Sequence, residues 1–70
     1  MVVDREKLTI AMARACMNAQ DLAKAAEMPP QTVNRALLGR GVRPATAGRI
    51  ARALNCDVSE ILNLEAMNNA

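Results

Sequence analysis

Between Met28 and Gly39 the sequence runs Met-Pro-Pro-Gln-Thr-Val-Asn-Arg-Ala-Leu-Leu-Gly, and four of its side chains have the chemistry to read a duplex. A guanidinium such as that of Arg35 can bond in bidentate fashion to O6 and N7 of guanine. The carboxamides of Gln31 and Asn34 can pair with adenine, and Thr32 can offer its methyl to a thymine methyl or its hydroxyl to a phosphate. Val33, Ala36 and Leu37 fall between them at helical period and form a separate apolar stripe. One rod would therefore bury one side and present the other. Pro30 suits its first turn, where a missing N–H costs nothing. Gly39 stands where a left-handed C-terminal cap is wanted. The loop that follows, Leu38-Gly39-Arg40-Gly41-Val42-Arg43-Pro44, adds two cations among glycines, and such a loop brings guanidinium and N–H groups close to a phosphate chain. Its glycine spacing lacks the Lys-Ser/Thr ending and preceding strand of a nucleotide-binding P-loop.

A rod of this kind needs a platform. Asn18 is a suitable N-cap for a helix packed before it, because its side-chain oxygen can accept an orphaned backbone N–H. Asp21 places a carboxylate in that helix's first turn, where the dipole favours it. Leu22, Ala23 and Ala26 share one face, and Met28-Pro29-Pro30 ends the helix, since a residue before proline is driven out of the α region. The expected unit is two short helices joined by a tight turn.

The flanks read as scaffold. A first helix is expected from about Asp4 to Cys16, with Leu8, Met12 and Ala15 on one face and Ala11 beside them. Asp4 and Glu6 near its start and Arg14 near its end match the dipole. A fourth helix should run from about Pro44 or Thr46 to Leu54, with Ala47, Ile50, Ala51 and Leu54 inward. Gly48 inside it costs about 1 kcal/mol relative to alanine, and the expected compensation is close helix–helix contact. Arg49 and Arg52 project from its polar side, where DNA contact and plain solvation are both open. Asp57-Val58-Ser59-Glu60 resembles a capping box and should open a fifth helix, with Val58, Ile61, Leu62 and Leu64 inward. The domain reading is a single unit over 1–70 with a core at about 4–64, the tail Glu65–Ala70 being frayed unless a second subunit orders it.

Seventy residues allow one modest core. The chain has no Phe, Tyr, Trp or His, which favours close-packed helices over a sheet and removes the commonest general base and zinc ligand. The net charge of +2 hides an uneven distribution. Met28 to Cys56 holds five arginines and no acid, whereas the remainder has four cations against seven acids. A polyanion is the natural partner of such a block. Cys16 and Cys56 have no nearby Cys or His to build a metal site, so no metal or cofactor is expected. As small hydrophobes they fit a reducing cytoplasm, although the sequence leaves a disulfide open. No apolar run reaches the roughly 20 residues of a membrane span, and the start Met-Val-Val-Asp-Arg-Glu-Lys is charged too early for a secretory signal.

From roughly Arg5 to Leu62 the chain resembles the Cro/repressor-type (XRE-like) helix-turn-helix family. The matching features are Asp21-Leu22-Ala23, Thr32-Val33-x-Arg35, Gly39, Pro44, Ala51-x-Ala53-Leu54 and Asp57-x-x-Glu60-Ile61-Leu62. The run Gln31–Arg35 also resembles the reading helix of the Lac-repressor-type family, which lacks a preceding helix such as Asp4–Cys16. The resemblance implies an all-α, five-helix, lambda-repressor-like domain with the motif on its second and third helices. It also implies that Pro30, Gln31, Thr32, Asn34 and Arg35 enter the major groove, while Asn18, Ala19, Arg40 and Arg43 meet the backbone. Five positions depart from the family pattern. Glu27 replaces the usual turn glycine, Ala19 the frequent glutamine, and Pro29 the usual capping residue of the third helix. Met12 and Leu37 replace a buried Arg–Glu pair, and changing both partners to apolar residues is often neutral or stabilising.

The expected function is sequence-specific binding of double-stranded DNA as a transcriptional regulator, read as a repressor. It would act as a homodimer at least on DNA, because one small domain reads few base pairs. The fifth helix or tail is the expected contact. A reading from another class is a protein-interaction module, such as an antitoxin that masks a partner through Ile61-Leu62-x-Leu64. An enzyme is not expected, for no nucleophile–base spacing or metal cluster is present. Neither a small-molecule substrate nor a membrane is an expected partner.

Overall fold

The computed structural model describes residues 1–65. Its regular elements are α1 (Arg5–Arg14), α2 (Ala19–Ala25), α3 (Pro30–Leu37) and α4 (Pro44–Ala53), followed by a 3₁₀ turn at Val58–Glu60. Among the described residues there is no β-strand, only two isolated antiparallel bridges. The described part of the chain is all-helical, and no described helix is long and apolar enough to cross a membrane.

Each helix starts where local chemistry dictates. The Asp4 carboxylate accepts the Lys7 N–H at 2.9 Å and opens α1. At α2 the capping is reciprocal: Asn18 Oδ1 accepts the Asp21 N–H at 2.8 Å, and Asp21 Oδ2 accepts the Asn18 N–H at 3.1 Å. Both α3 and α4 begin with proline at their first position and have no side-chain cap. Proline needs no acceptor for its nitrogen, so one orphan donor is removed rather than satisfied.

Helices α1–α4 end the same way, and only one of these ends was legible as a glycine. The residue after the C-cap is left-handed in each: Cys16 (φ 56°), Glu27 (φ 56°), Gly39 (φ 76°) and Asn55 (φ 55°). In each, that residue donates to a carbonyl three back and the next residue to one five back. The bonds Glu27 N–H to Lys24 O (3.2 Å) and Met28 N–H to Ala23 O (2.9 Å) close α2. This double pattern satisfies the last carbonyls of a helix and turns the chain sharply. The α2–α3 turn therefore keeps its left-handed geometry although glutamate stands there, at a cost of about 1–2 kcal/mol for a residue with a Cβ.

The core is built from small and branched side chains. Leu8, Leu22, Val33, Ala36, Ala47, Ile50 and Ile61 are sealed from solvent, and among the described residues no polar or charged side chain is buried. Met12 is buried and Leu37 partly so, as expected of an apolar pair. Gly48 corrects an expectation: it is exposed, and a Cβ added to it would meet nothing within 4 Å. It mediates no close helix contact.

The expected fifth helix is also corrected. Its capping chemistry is present, with Asp57 Oδ1 accepting the Ser59 N–H at 2.9 Å and Glu60 Oε2 accepting the Asp57 N–H at 2.8 Å. Yet these bonds close only the 3₁₀ turn. Ile61 and Leu62 are both buried, and a segment that buries adjacent side chains while pairing its backbone sideways does not propagate as a helix. The Ile61 carbonyl accepts the Asp4 N–H at 2.7 Å, and Asn63 N–H reaches the Val2 carbonyl at 2.9 Å. Val3 bridges Leu62, while Val2 bridges Gly41 on the other side. The opening segment thus ties the end of the chain to the arginine loop. Leu64, expected inward, is 45% exposed. The frayed tail expected at Glu65–Ala70 lies, beyond Glu65, outside the described residues.

Candidate nucleic-acid interface

The two faces of α3 separate as its sequence demands. Val33 and Ala36 are fully buried against the core, while Gln31, Asn34 and Arg35 are exposed and Thr32 is partly buried. Burial of Val33 and Ala36 fixes the rotation of the helix about its axis, and that rotation decides which side chains face solvent. With α2 packed directly on α3, this helix is backed by another helix rather than by loop.

Gln31, Thr32, Asn34 and Arg35 line one shallow groove of about 710 Å³ together with Arg40 and Arg43 of the following loop. Two further residues of that groove, Leu38 and Thr46, carried no sequence signal strong enough to single them out. Thr46 enters because Pro44 starts α4 and places its third residue beside Arg43. Leu38, the C-cap of α3, is 71% exposed and prolongs the exposed face by one turn.

The loop is not loose. Arg40 N–H donates to Arg35 O at 3.2 Å as part of the helix end, and Val42 is buried with its N–H on the Met1 carbonyl at 2.7 Å. Arg40 and Arg43 therefore project from a pinned backbone, both exposed. No acidic residue occupies the first turn of α3 or α4, so neither helix dipole is offset by a carboxylate of its own first turn.

The remaining predicted residues sit elsewhere. Pro30 is exposed at the first position of α3 but is not part of the groove wall. Ala19, partly buried, lines a second groove of about 580 Å³ between α1 and α3, which Asn34 also lines. Asn18 is exposed, and its side-chain oxygen is already engaged by Asp21. Arg52, left open between two roles, faces a separate depression beside Asp57 and Glu60. Cys16 and Cys56 are free thiols.

No curated protein and no solved structure matches the chain. The model of one protein family does, over residues 7–67. That span takes in α2, α3, the arginine loop and α4, and on it the chain belongs to the family of Cro/C1-type HTH DNA-binding domains.

Proposed function

We propose that this protein is a sequence-specific regulator of transcription, acting as a repressor, in which α2, the Glu27 turn and α3 form the helix-turn-helix and α3 enters the major groove. The observation that carries the reading is the shared groove: side chains suited to base edges and loop cations suited to phosphates line one continuous surface. In this reading Arg35 takes guanine, Gln31 and Asn34 take adenine, and Thr32 meets a thymine methyl or a phosphate. Pro30 touches the groove at the entering end of α3. Arg40 and Arg43 grip phosphates, and Asn18 and Ala19 lie nearest the backbone on the other flank. Two copies on half-sites one helical turn apart, about 34 Å, supply the length of site that one α3 lacks. Bound in this way, the dimer represses by occupying its operator.

The test begins with selection of bound duplexes from a random pool at moderate salt, then compares two variants on the selected site and its single-base derivatives. For each bound copy, Arg35→Ala is expected to relax preference at one base-pair position at a cost of about 1–3 kcal/mol, and Arg40→Ala to weaken every sequence alike and flatten the salt dependence by about one unit of slope. Identical behaviour of the two variants across the panel refutes the division of roles.

The competing reading, a module that masks a protein partner, needs an available apolar surface at Ile61-Leu62-x-Leu64. Ile61 and Leu62 are 0% and 3% exposed, so their side chains are spent on the chain's own core and only Leu64 is left to offer.

A further inference from the structure

We infer that Arg5, the first residue of α1, is a second phosphate-gripping cation, acting on the flank of α3 opposite Arg40 and Arg43. The inference rests on the reading of α3 as a major-groove helix and adds a contact on its other side. Two grooves border α3, one of about 710 Å³ on the arginine-loop side and one of about 580 Å³ on the α1 side. Asn34 and Leu38 line both, so the grooves are the two flanks of one helix. A helix seated in a major groove about 12 Å wide has a sugar–phosphate strand along each of its flanks. One strand would meet Arg40 and Arg43.

On the other flank the α2 positions have little to give. Ala19 presents a methyl group, and Asn18, whose oxygen accepts the Asp21 N–H, offers only its neutral Nδ2 amide. The charge there comes from α1. Arg5 and Thr9, four residues apart and both exposed, form the α1 wall of this groove, and Arg5 is the charged residue lining it. Two facts indicate that its guanidinium is kept for an external anion. No hydrogen bond or ion pair engages it among the described residues. It also sits in the first turn of α1, where a cation opposes the helix dipole, so its position does nothing for the helix that carries it. Thr9, one turn further on, can add a hydroxyl to the same phosphate strand.

The test is a salt titration of binding to a selected duplex and to an unrelated one, for the wild type, Arg5→Ala, Arg5→Lys, Arg40→Ala and Arg14→Ala. Arg14 is a matched control: the same side chain on the same helix, facing a different groove bounded by Ala53, Leu54 and Cys56, with the same change in net charge. For each bound copy, Arg5→Ala is expected to lose about five- to tenfold in affinity at about 50 mM salt on both duplexes and to lower the salt slope by about 0.9, with base preference unchanged. Arg5→Lys should retain most of the slope, and Arg14→Ala should match the wild type. Thermal melting of each variant checks folding, and Arg5→Ala should melt no lower than the wild type because the dipole conflict is relieved. If Arg40→Ala flattens the slope while Arg5→Ala tracks Arg14→Ala, this inference falls and the major-groove reading stands. If the wild type binds neither duplex, both fall.

Discussion

Replacing Glu27 by glycine should make the protein more stable, and the size of the gain follows from one backbone angle. Glu27 closes α2 at φ 56°, in the left-handed region that costs a residue with a Cβ about 1–2 kcal/mol. Glycine pays none of this but carries more freedom in the unfolded chain, which returns about 0.5–1 kcal/mol. The net expectation is a gain of about 0.5–1 kcal/mol, or about 2–8 °C in melting temperature for a domain of this size. No side-chain interaction offsets it. Glu27 is exposed, with no hydrogen bond or ion pair among the described residues. Its charge lies between the C-terminus of α2 and the N-terminus of α3, where the two dipoles act on it in opposite senses. Three other sites with the same geometry act as internal standards. Cys16→Gly, at φ 56°, should gain a similar amount. Asn55→Gly, at φ 55°, should gain much less, because asparagine already tolerates this region. Gly39→Ala, at φ 76°, should lose stability. Thermal and urea unfolding followed by circular dichroism measure all four, with duplex binding as a check that α3 keeps its orientation. The reasoning is refuted if Glu27→Gly is destabilising, or if Asn55→Gly gains as much as Glu27→Gly.

Further outcomes follow from single observations. Gly48→Ala should stabilise by about 0.5–1 kcal/mol, because the site is exposed in the middle of α4 and has room for a methyl. A loss of stability in a urea melt would mean that the glycine does pack. Asp57 is held below the ordinary carboxylate range, first by the Ser59 N–H and then by the Ser59 hydroxyl. Its folded pKa is therefore depressed, so its stabilisation is complete above the ordinary value of about 3.9 and is lost as pH falls through the folded value. Asp57→Asn should accordingly show a shallower fall in melting temperature below about pH 4 than the wild type, and parallel acid limbs would contradict this. Iodoacetamide should modify Cys16 before Cys56 at neutral pH, as read by peptide mass mapping over time. Cys16 is exposed, whereas burial pushes the Cys56 thiol up and the nearby Glu60 and Asp57 carboxylates push it further.

The parts of the candidate site that sequence reasoning reached are those set within one helical turn. The apolar triplet of α3, the proline at its start and the glycine after its end all act through neighbours three or four residues away. Their consequences were therefore readable before any coordinates. The departures at Met12 and Leu37 were legible as a pair because both are apolar. Thr46 and Arg5 were not legible as neighbours of the exposed face of α3. Each reaches it only after α4 and α1 have docked. The error at Gly48 has the same origin, since propensity registers the cost of a helical glycine but not what lies beside it.

The sequence by itself determined where the helices start, which stripe of each is apolar, and that arginine collects between Met28 and Cys56 without a neutralising acid. These are properties of near neighbours and composition. Tertiary structure alone decided that Ile61 and Leu62 leave the helical path to bridge the opening segment, and that the same segment pins the arginine loop through Val2 and Gly41. It also decided that α3 is flanked by cations from both the loop and α1. The bridges join residues far apart in the sequence, Val2 to Gly41 and Val3 to Leu62. They form only once the core built on Leu8, Leu22, Val33 and Ile50 has brought the ends together, because closing so long a loop has an entropy cost that only collective burial repays.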